Sequence, residues 1–177
     1  MDRKGSFTRL EFTVPARGLI GVRSRLLNAT QGQATMHHVF HGYGPFRGPI
    51  EERTSGVLVS MAQGQTTFYA LDGLRDRGVF FVPEGAEVYE GMVVGEHCKD
   101  NDLVVNVVRE KKATNIRSSN KETFVKMPPP RAFSVEDALE YVGEDEFVEI
   151  TSKCVRLRKA HLKETDRKRS ERSRETV

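Results

Sequence analysis

The chain has no tryptophan, only two cysteines, and no apolar run near the roughly 18 residues a membrane helix needs. Each shortage excludes something. Cys98 and Cys154 stand far apart and in no metal-ligand spacing, so a cysteine-built zinc module is excluded. Two reduced thiols are the expectation for them, with a disulfide as the alternative. The opening "MDRKGSFTRLEF" has no long apolar stretch of the signal-peptide kind, so the chain reads as cytoplasmic with no membrane partner. G-x-x-x-x-G-K-[ST] occurs nowhere, which removes a P-loop as a way to cradle nucleotide phosphates. Ser60 and Ser134 have no G-x-S-x-G setting.

What the chain does have is segregated charge. The formal net is only +3, yet "REKKATNIRSSNKETFVK" (109–126) carries six basic residues against two acidic ones, a local +4. Residues 153–177 carry ten against four, a local +6. Ser134–Glu149 holds seven acids and no base. Segregation of this kind points to a polyanionic partner met by particular surfaces.

Periodicity divides the chain into two unequal parts near Pro49. "FTRLEFTVP" (7–15) alternates as a strand does, and "ARGLIGVRSRLLNATQG" places Leu19, Val22, Leu26 and Leu27 at helical spacing before Gly32 stops it. "QATMHHVFHGYG" follows as a second strand, completing a β-α-β unit. Two strands and a helix cannot bury a core, so the unit reads as half of a domain. Short strands follow: "GVLVSMAQG", a brief strand into a short helix over "QTTFYALDGLRDRG", then "VFFVPEGAEVYEGMVVGEHC" and "LVVNVV". After "PPPR" (128–131), Ser134 is a good N-cap with Asp137 three residues on, opening the helix "VEDALEYV". "EFVEIT" and "CVRLRK" read as two more strands. From about Ala160 the tail is charged and has no apolar face, so it is expected to fray. The fold class is α+β: a β-α-β half-domain, then a mainly β domain with two short helices.

No catalytic constellation emerges, and the chain is not expected to be an enzyme. His37, His38 and His41 are the most tempting metal ligands. On a strand His37 and His38 point to opposite faces, and no acid or cysteine lies at a useful local spacing. "GYGPFRG" departs from G-x-G-x-x-G, with Pro45 where a helix should begin. Binding features are better founded. Arg17 and Arg23 lie on the first helix, and Arg17 with Gly18 would open it, where free amides and the dipole favour phosphate. In 109–126, Arg109, Lys111, Lys112, Arg117, Lys121 and Lys126 are mixed with Asn115, Ser118, Ser119 and Asn120, polar groups suited to phosphate and ribose.

At "VPARGLIGVRSRLLNATQGQATMHHVFHGYGPFRG" the sequence closely resembles the BipA/TypA family of bacterial ribosome-associated translational GTPases. "RTSGVLVSMAQGQTTFYAL", "GAEVYEGMVVGEHCKDNDLVVN", "KKATNIRSS" and "LEYVGEDEFVEITSKCVRLRK" extend the resemblance over nearly the whole chain. The resemblance implies that residues 1–48 are the second half of a ferredoxin-like fifth domain, similar to that of elongation factor G. Residues 49–177 would be the family's own C-terminal domain, with the basic loop at 109–126 and the charged tail from about 160. The chain would then be a C-terminal fragment, with GTP and magnesium bound only by absent parts of the parent and no cofactor held here. It also implies contact between the loop matching Lys111, Lys112, Asn115, Arg117 and Lys121 and large-subunit rRNA and the A-site tRNA acceptor arm, in ribosome assembly or stress-adapted translation. The alternative function is a protein-interaction domain acting through the acidic helix 134–149. The exposed edge of the half-domain predicts non-native association between copies.

Overall fold

A computed structural model of the chain describes residues 2–4, 7–48, 53–111 and 127–175. The chain divides into two compact units, Met1–Glu51 and Glu52–Val177, and its class is α+β.

In the first unit, β1 (Asp2–Lys4) and β2 (Phe7–Arg9) form an antiparallel hairpin in which Asp2 is in register with Arg9. A 3-10 turn over Ala16–Leu19 leads to α1 (Val22–Ala29), which starts after Gly21 in a left-handed conformation. The helix stops where Gly32 predicts: its amide reaches back to the Leu27 carbonyl at 2.7 Å, and the Thr30 hydroxyl donates to the Leu26 carbonyl.

The strands are shorter than the alternation suggests. The ladder expected over 7–15 ends at Arg9, and 33–44, expected as a strand, joins no ladder among the described residues. Alternation records only which side chains favour a buried face, whereas a strand also needs a neighbour to take its backbone hydrogen bonds. Leu10, Phe12, Val39, Phe40, Tyr43 and Phe46 are accordingly exposed.

The second unit is built on a six-stranded sheet. Its strands are β3 (Val57–Ser60), β5 (Gly78–Phe80), β7 (Met92–His97), β8 (Leu103–Val105), β9 (Glu146–Ile150) and β10 (Val155–Lys159). The order is β8-β3-β7-β10-β9, with β5 also pairing β7, and only β3–β8 is parallel. A small sheet of β4 (Gly64–Gln65) and β6 (Glu87–Val88) stands apart. Every residue of β3 is buried, and its run of Val57, Leu58 and Val59 is continuous rather than alternating because both sheet faces are covered.

Period two then sorts the side chains. Leu58, Met92, Val94 and Val105 enter one cluster with Leu71 of α2 (Phe68–Gly73). Val57, Val59, Val93 and Leu157 enter the other with Ala138 and Tyr141 of α3 (Val135–Tyr141). The capping box expected at Ser134 is present: its hydroxyl accepts from the Asp137 amide at 3.1 Å, and the Asp137 carboxylate accepts from the Ser134 amide at 3.2 Å. The Ser134 hydroxyl also donates to that carboxylate (2.7 Å), and this bond first, with the amide's, holds the Asp137 carboxyl below the usual carboxylate range.

The tail departs from expectation. Residues Glu164–Glu175 form α4 despite lacking an apolar face. Its composition is mostly good helix formers, Glu164 and Lys168 pair at i,i+4 (2.5 Å), and the Arg167 guanidinium donates to the carbonyls of His161 and Leu162. Just before it, the backbone of Leu162 lies against Gly91, where a Cβ would come within 2.6 Å of the Leu162 Cα. Gly91 has φ +84°, which independently favours glycine there.

A candidate nucleic-acid interface

The described residues on either side of the basic segment pack on one apolar cluster. At the entry, Val107 is fully buried in the Leu58–Leu71 cluster and Val108 packs against it. Thr67, the N-cap of α2, makes three bonds here, two of them to this root. Its amide donates to the Val107 carbonyl (3.0 Å), its hydroxyl donates to the Arg109 carbonyl (2.6 Å), and the same oxygen accepts from the Ala70 amide. One side chain thus caps a helix and clamps the start of the segment. At the exit, Met127 packs on the same cluster. The Arg131 amide then donates to the Phe80 carbonyl (2.9 Å), and Phe133 meets Phe81 and Tyr141 in the other cluster. Pro128–Pro130 therefore carries the chain past the β5 edge from one sheet face to the other, and their fixed φ suits a crossing that needs no ladder bonds.

Beside the entry root stand two exposed rings, Phe68 (40 % exposed) and Tyr69 (44 %). The Arg109 guanidinium lies 5.9 Å from the centre of the Tyr69 ring, within cation–π range. Exposed aromatic faces beside cations are what an unpaired base stacks on, since every base has a π-face. Sequence reasoning passed over both rings; the only signal was a pair of aromatics directly after a helix cap.

The sequence-expected residues are distributed unevenly. Arg109 and Lys111 are exposed at the root. Lys112, Asn115, Arg117, Lys121 and Lys126 lie outside the described residues. Arg23 is exposed on α1. Arg17 needs correction: the helix begins at Val22, not at Arg17. The Gly18 amide is taken by the Pro15 carbonyl (2.9 Å), and the Arg17 guanidinium donates to the Gly48 carbonyl while lying 4.2 Å from the Phe46 ring centre. Glycines at 18 and 21 let the chain turn before the helix starts, so no free helical amides are presented at Arg17. His37, His38 and His41 are each exposed, and both cysteines are free.

Part of the acidic stretch is engaged within the fold. Lys159, 2 % exposed, is held by Asp102 (2.5 Å), Asp145 (2.8 Å) and Glu146 (2.9 Å). The Arg53 guanidinium engages both oxygens of Glu146 and donates to the Tyr141 carbonyl, 4.6 Å from that ring's centre. Burial opposes the charge on Lys159, but the three carboxylates outweigh it and hold its pKa above the ordinary lysine value. Burial likewise works to raise Glu146, yet Arg53 and Lys159 hold its carboxyl below the usual range. Glu149 pairs with Arg158 (2.7 Å) and accepts from the Tyr89 hydroxyl (2.5 Å). Asp137, Asp145, Glu146 and Glu149 thus serve a capping box and three cations of the same unit, while Glu136, Glu140 and Glu144 stay exposed.

Comparison with known proteins agrees with this division. Residues 55–164 match the family described as the TypA/BipA C-terminal domain, and residues 1–54 match the elongation factor G C-terminus, a ferredoxin-like domain. A Bacillus subtilis protein named "Large ribosomal subunit assembly factor BipA" is 47 % identical over 170 residues, covering 96 % of this chain and 28 % of its own length. The same name is carried by a Salmonella typhimurium relative, 45 % identical over 97 % of this chain and 28 % of the relative. A Synechocystis relative is 45 % identical over 88 % and 26 %. The chain thus spans little more than a quarter of the curated relatives it matches. With the sheet and both loop roots inside the matched region, the chain belongs to the TypA/BipA C-terminal domain family, preceded by an elongation-factor-G-type segment.

Proposed function

We propose that this chain is the ribosome-binding C-terminal module of a cytoplasmic translational GTPase, acting in large-subunit assembly or stress-adapted translation. Its partners are large-subunit rRNA and the acceptor arm of tRNA. GTP and magnesium belong to other parts of such a protein, since these residues contain no P-loop sequence. The observation that carries the reading is the mounting of the basic segment. Both roots are pinned to one apolar cluster, and exposed Tyr69 and Arg109 stand beside the entry. Cations and polar side chains carried in the sequence between two fixed roots suit an irregular RNA surface. The Asn, Ser and Arg groups of the segment can then meet phosphate and ribose, and Tyr69 can stack an unpaired base.

The test is co-sedimentation of the chain with purified large subunits across a salt series. Binding should fall steeply with salt, because each phosphate contact releases counterions. Replacing Lys111, Lys112, Arg117 and Lys121 with alanine should abolish most of it. Tyr69→Ala should cost about 5- to 160-fold, the range for loss of one stacking contact of about 1–3 kcal/mol, with little effect on the salt slope. Unchanged co-sedimentation of the fourfold variant would show that the segment is not the contact.

A further inference from the structure

We propose that α4 is a second RNA contact, separate from the basic segment, whose cationic stripe lies along a phosphate backbone. The inference rests on the reading of the chain as an RNA-binding module. At 100° per residue, Thr165, Lys168, Arg169, Arg172 and Ser173 share one arc of the helix. Among residues 164–173 no acid falls within that arc: Glu164 and Glu171 lie beside it and Asp166 beyond its other edge. Two hydroxyls and three cations thus face one way over about 12 Å of helix, at 1.5 Å per residue.

Three observations say what covers the stripe. From Glu164 to Ser173 no residue of α4 is buried, so the helix is not part of the core. Residues 164–175 include no apolar side chain, so the helix has nothing to bury in an apolar protein groove or in the acyl region of a membrane. A polyanion gains from it directly, and the Thr165 hydroxyl adds a neutral donor for a phosphate oxygen, whereas the Ser173 hydroxyl donates to the Arg169 carbonyl (3.0 Å). The Lys168–Glu164 pair does not remove Lys168 from the stripe, because an exposed i,i+4 pair is weak enough to exchange for phosphate.

The mounting of α4 is fixed rather than trailing. Lys159 is buried in its carboxylate cage, the backbone of Leu162 sits against Gly91, and Arg167 ties the first turn to the carbonyls of His161 and Leu162. A helix fixed at its base presents its stripe at a set angle to the sheet. The expected contact is therefore one backbone run of two or three phosphates, not a diffuse charge cloud.

The test compares the whole chain with Lys168→Gln/Arg169→Gln/Arg172→Gln, using purified large subunits and protein-free large-subunit rRNA as probes. Three lost phosphate contacts should flatten the slope of log affinity against log salt by about 2–3, and weaken binding at 0.15 M salt on the order of 100-fold. A control removing three exposed cations elsewhere, Arg47→Gln/Lys99→Gln/Lys153→Gln, should change the slope by less than about one. Glu164→Gln/Glu171→Gln should tighten binding several-fold by removing flanking negative charge, and it decides the matter if circular dichroism shows that the triple variant has lost α4. A stripe variant that behaves like the control, or acid removal that leaves affinity unchanged with α4 intact, overturns the proposal. Failure of the unmodified chain to bind either probe would instead remove the RNA-binding reading itself.

Discussion

Lys159→Met keeps the length of the stem and deletes one charge from a nearly closed cage. The lysine is 2 % exposed and bridges three carboxylates, one of which, Glu146, has a side chain with no solvent exposure. Removing it leaves Asp102, Asp145 and Glu146 facing one another with Arg53 as the remaining cation on Glu146. Breaking a buried pair from one side costs about 3–5 kcal/mol, because the surviving charge stays desolvated. A unit of about 125 residues unfolds with roughly 0.26 kcal/mol/K of entropy, so the melting temperature should fall by about 10–20 °C at pH 7. The pH dependence is the sharper part. Glu146 titrates below its ordinary value, so its stabilisation is complete above the unfolded carboxyl pKa of about 4.3 and is lost as pH falls through the folded value. Lys159 titrates above its ordinary value, so its share is complete below about 10.4 and is lost as pH rises through the folded value. The deficit of the variant should therefore be full near neutrality and shrink in acid, where protons neutralise the stranded carboxylates. Scanning calorimetry at pH 7 and at about pH 4 measures both. A fall below about 3 °C at pH 7, or an equal fall at both pH values, would refute the cage as a buried charge network.

Gly91→Ala adds a Cβ against the main chain of Leu162, which cannot yield as a flexible side chain would, and it also places alanine at φ +84°. Urea unfolding should show a loss of at least about 2 kcal/mol, the combined order of overpacking and backbone strain. The first unit exposes Phe12, Val39, Phe40, Tyr43 and Phe46, so copies of the chain should associate as concentration rises. Light scattering should report growing mass, and Phe40→Ser/Phe46→Ser should reduce it; a strict monomer at millimolar concentration would count against this.

Much of the second unit was legible because its signals are local. Ser134 with Asp137 announces a capped helix, and the continuous run of β3 announces a strand covered on both faces. Two features hid for physical reasons. The helix at 164–175 has no apolar stripe, so hydrophobic periodicity is blind to it; ion pairing and propensity hold it instead. Lys159 ends the expected strand "CVRLRK", with nothing in its residue type to mark it as buried. The alternation Val155, Leu157, Lys159 nonetheless puts it on the core face, and only the three-dimensional meeting of Asp102, Asp145 and Glu146 explains how a charge can stay there. In the first unit alternation over 7–15 and 33–44 predicts strands, but alternation states a preference that only a neighbouring strand can satisfy. Tyr69 and Phe68 gave almost no signal, since their significance comes from where Thr67 clamps Arg109.

The order of strands in the sheet bears on how the chain is made. β10 is the last strand in sequence, yet it lies inside the sheet between β7 and β9, pairing Leu157 with both Val93 and Val148. Until it has been synthesised, part of one edge of β7 stays open and β9 has no ladder to join. At about 5–20 residues per second, the gap between Val93 and Leu157 leaves that edge unpaired for several seconds of synthesis. Folding of the second unit is therefore deferred almost to its final strand, and a nascent chain stalled before Val155 would carry an adhesive edge rather than a partly finished domain.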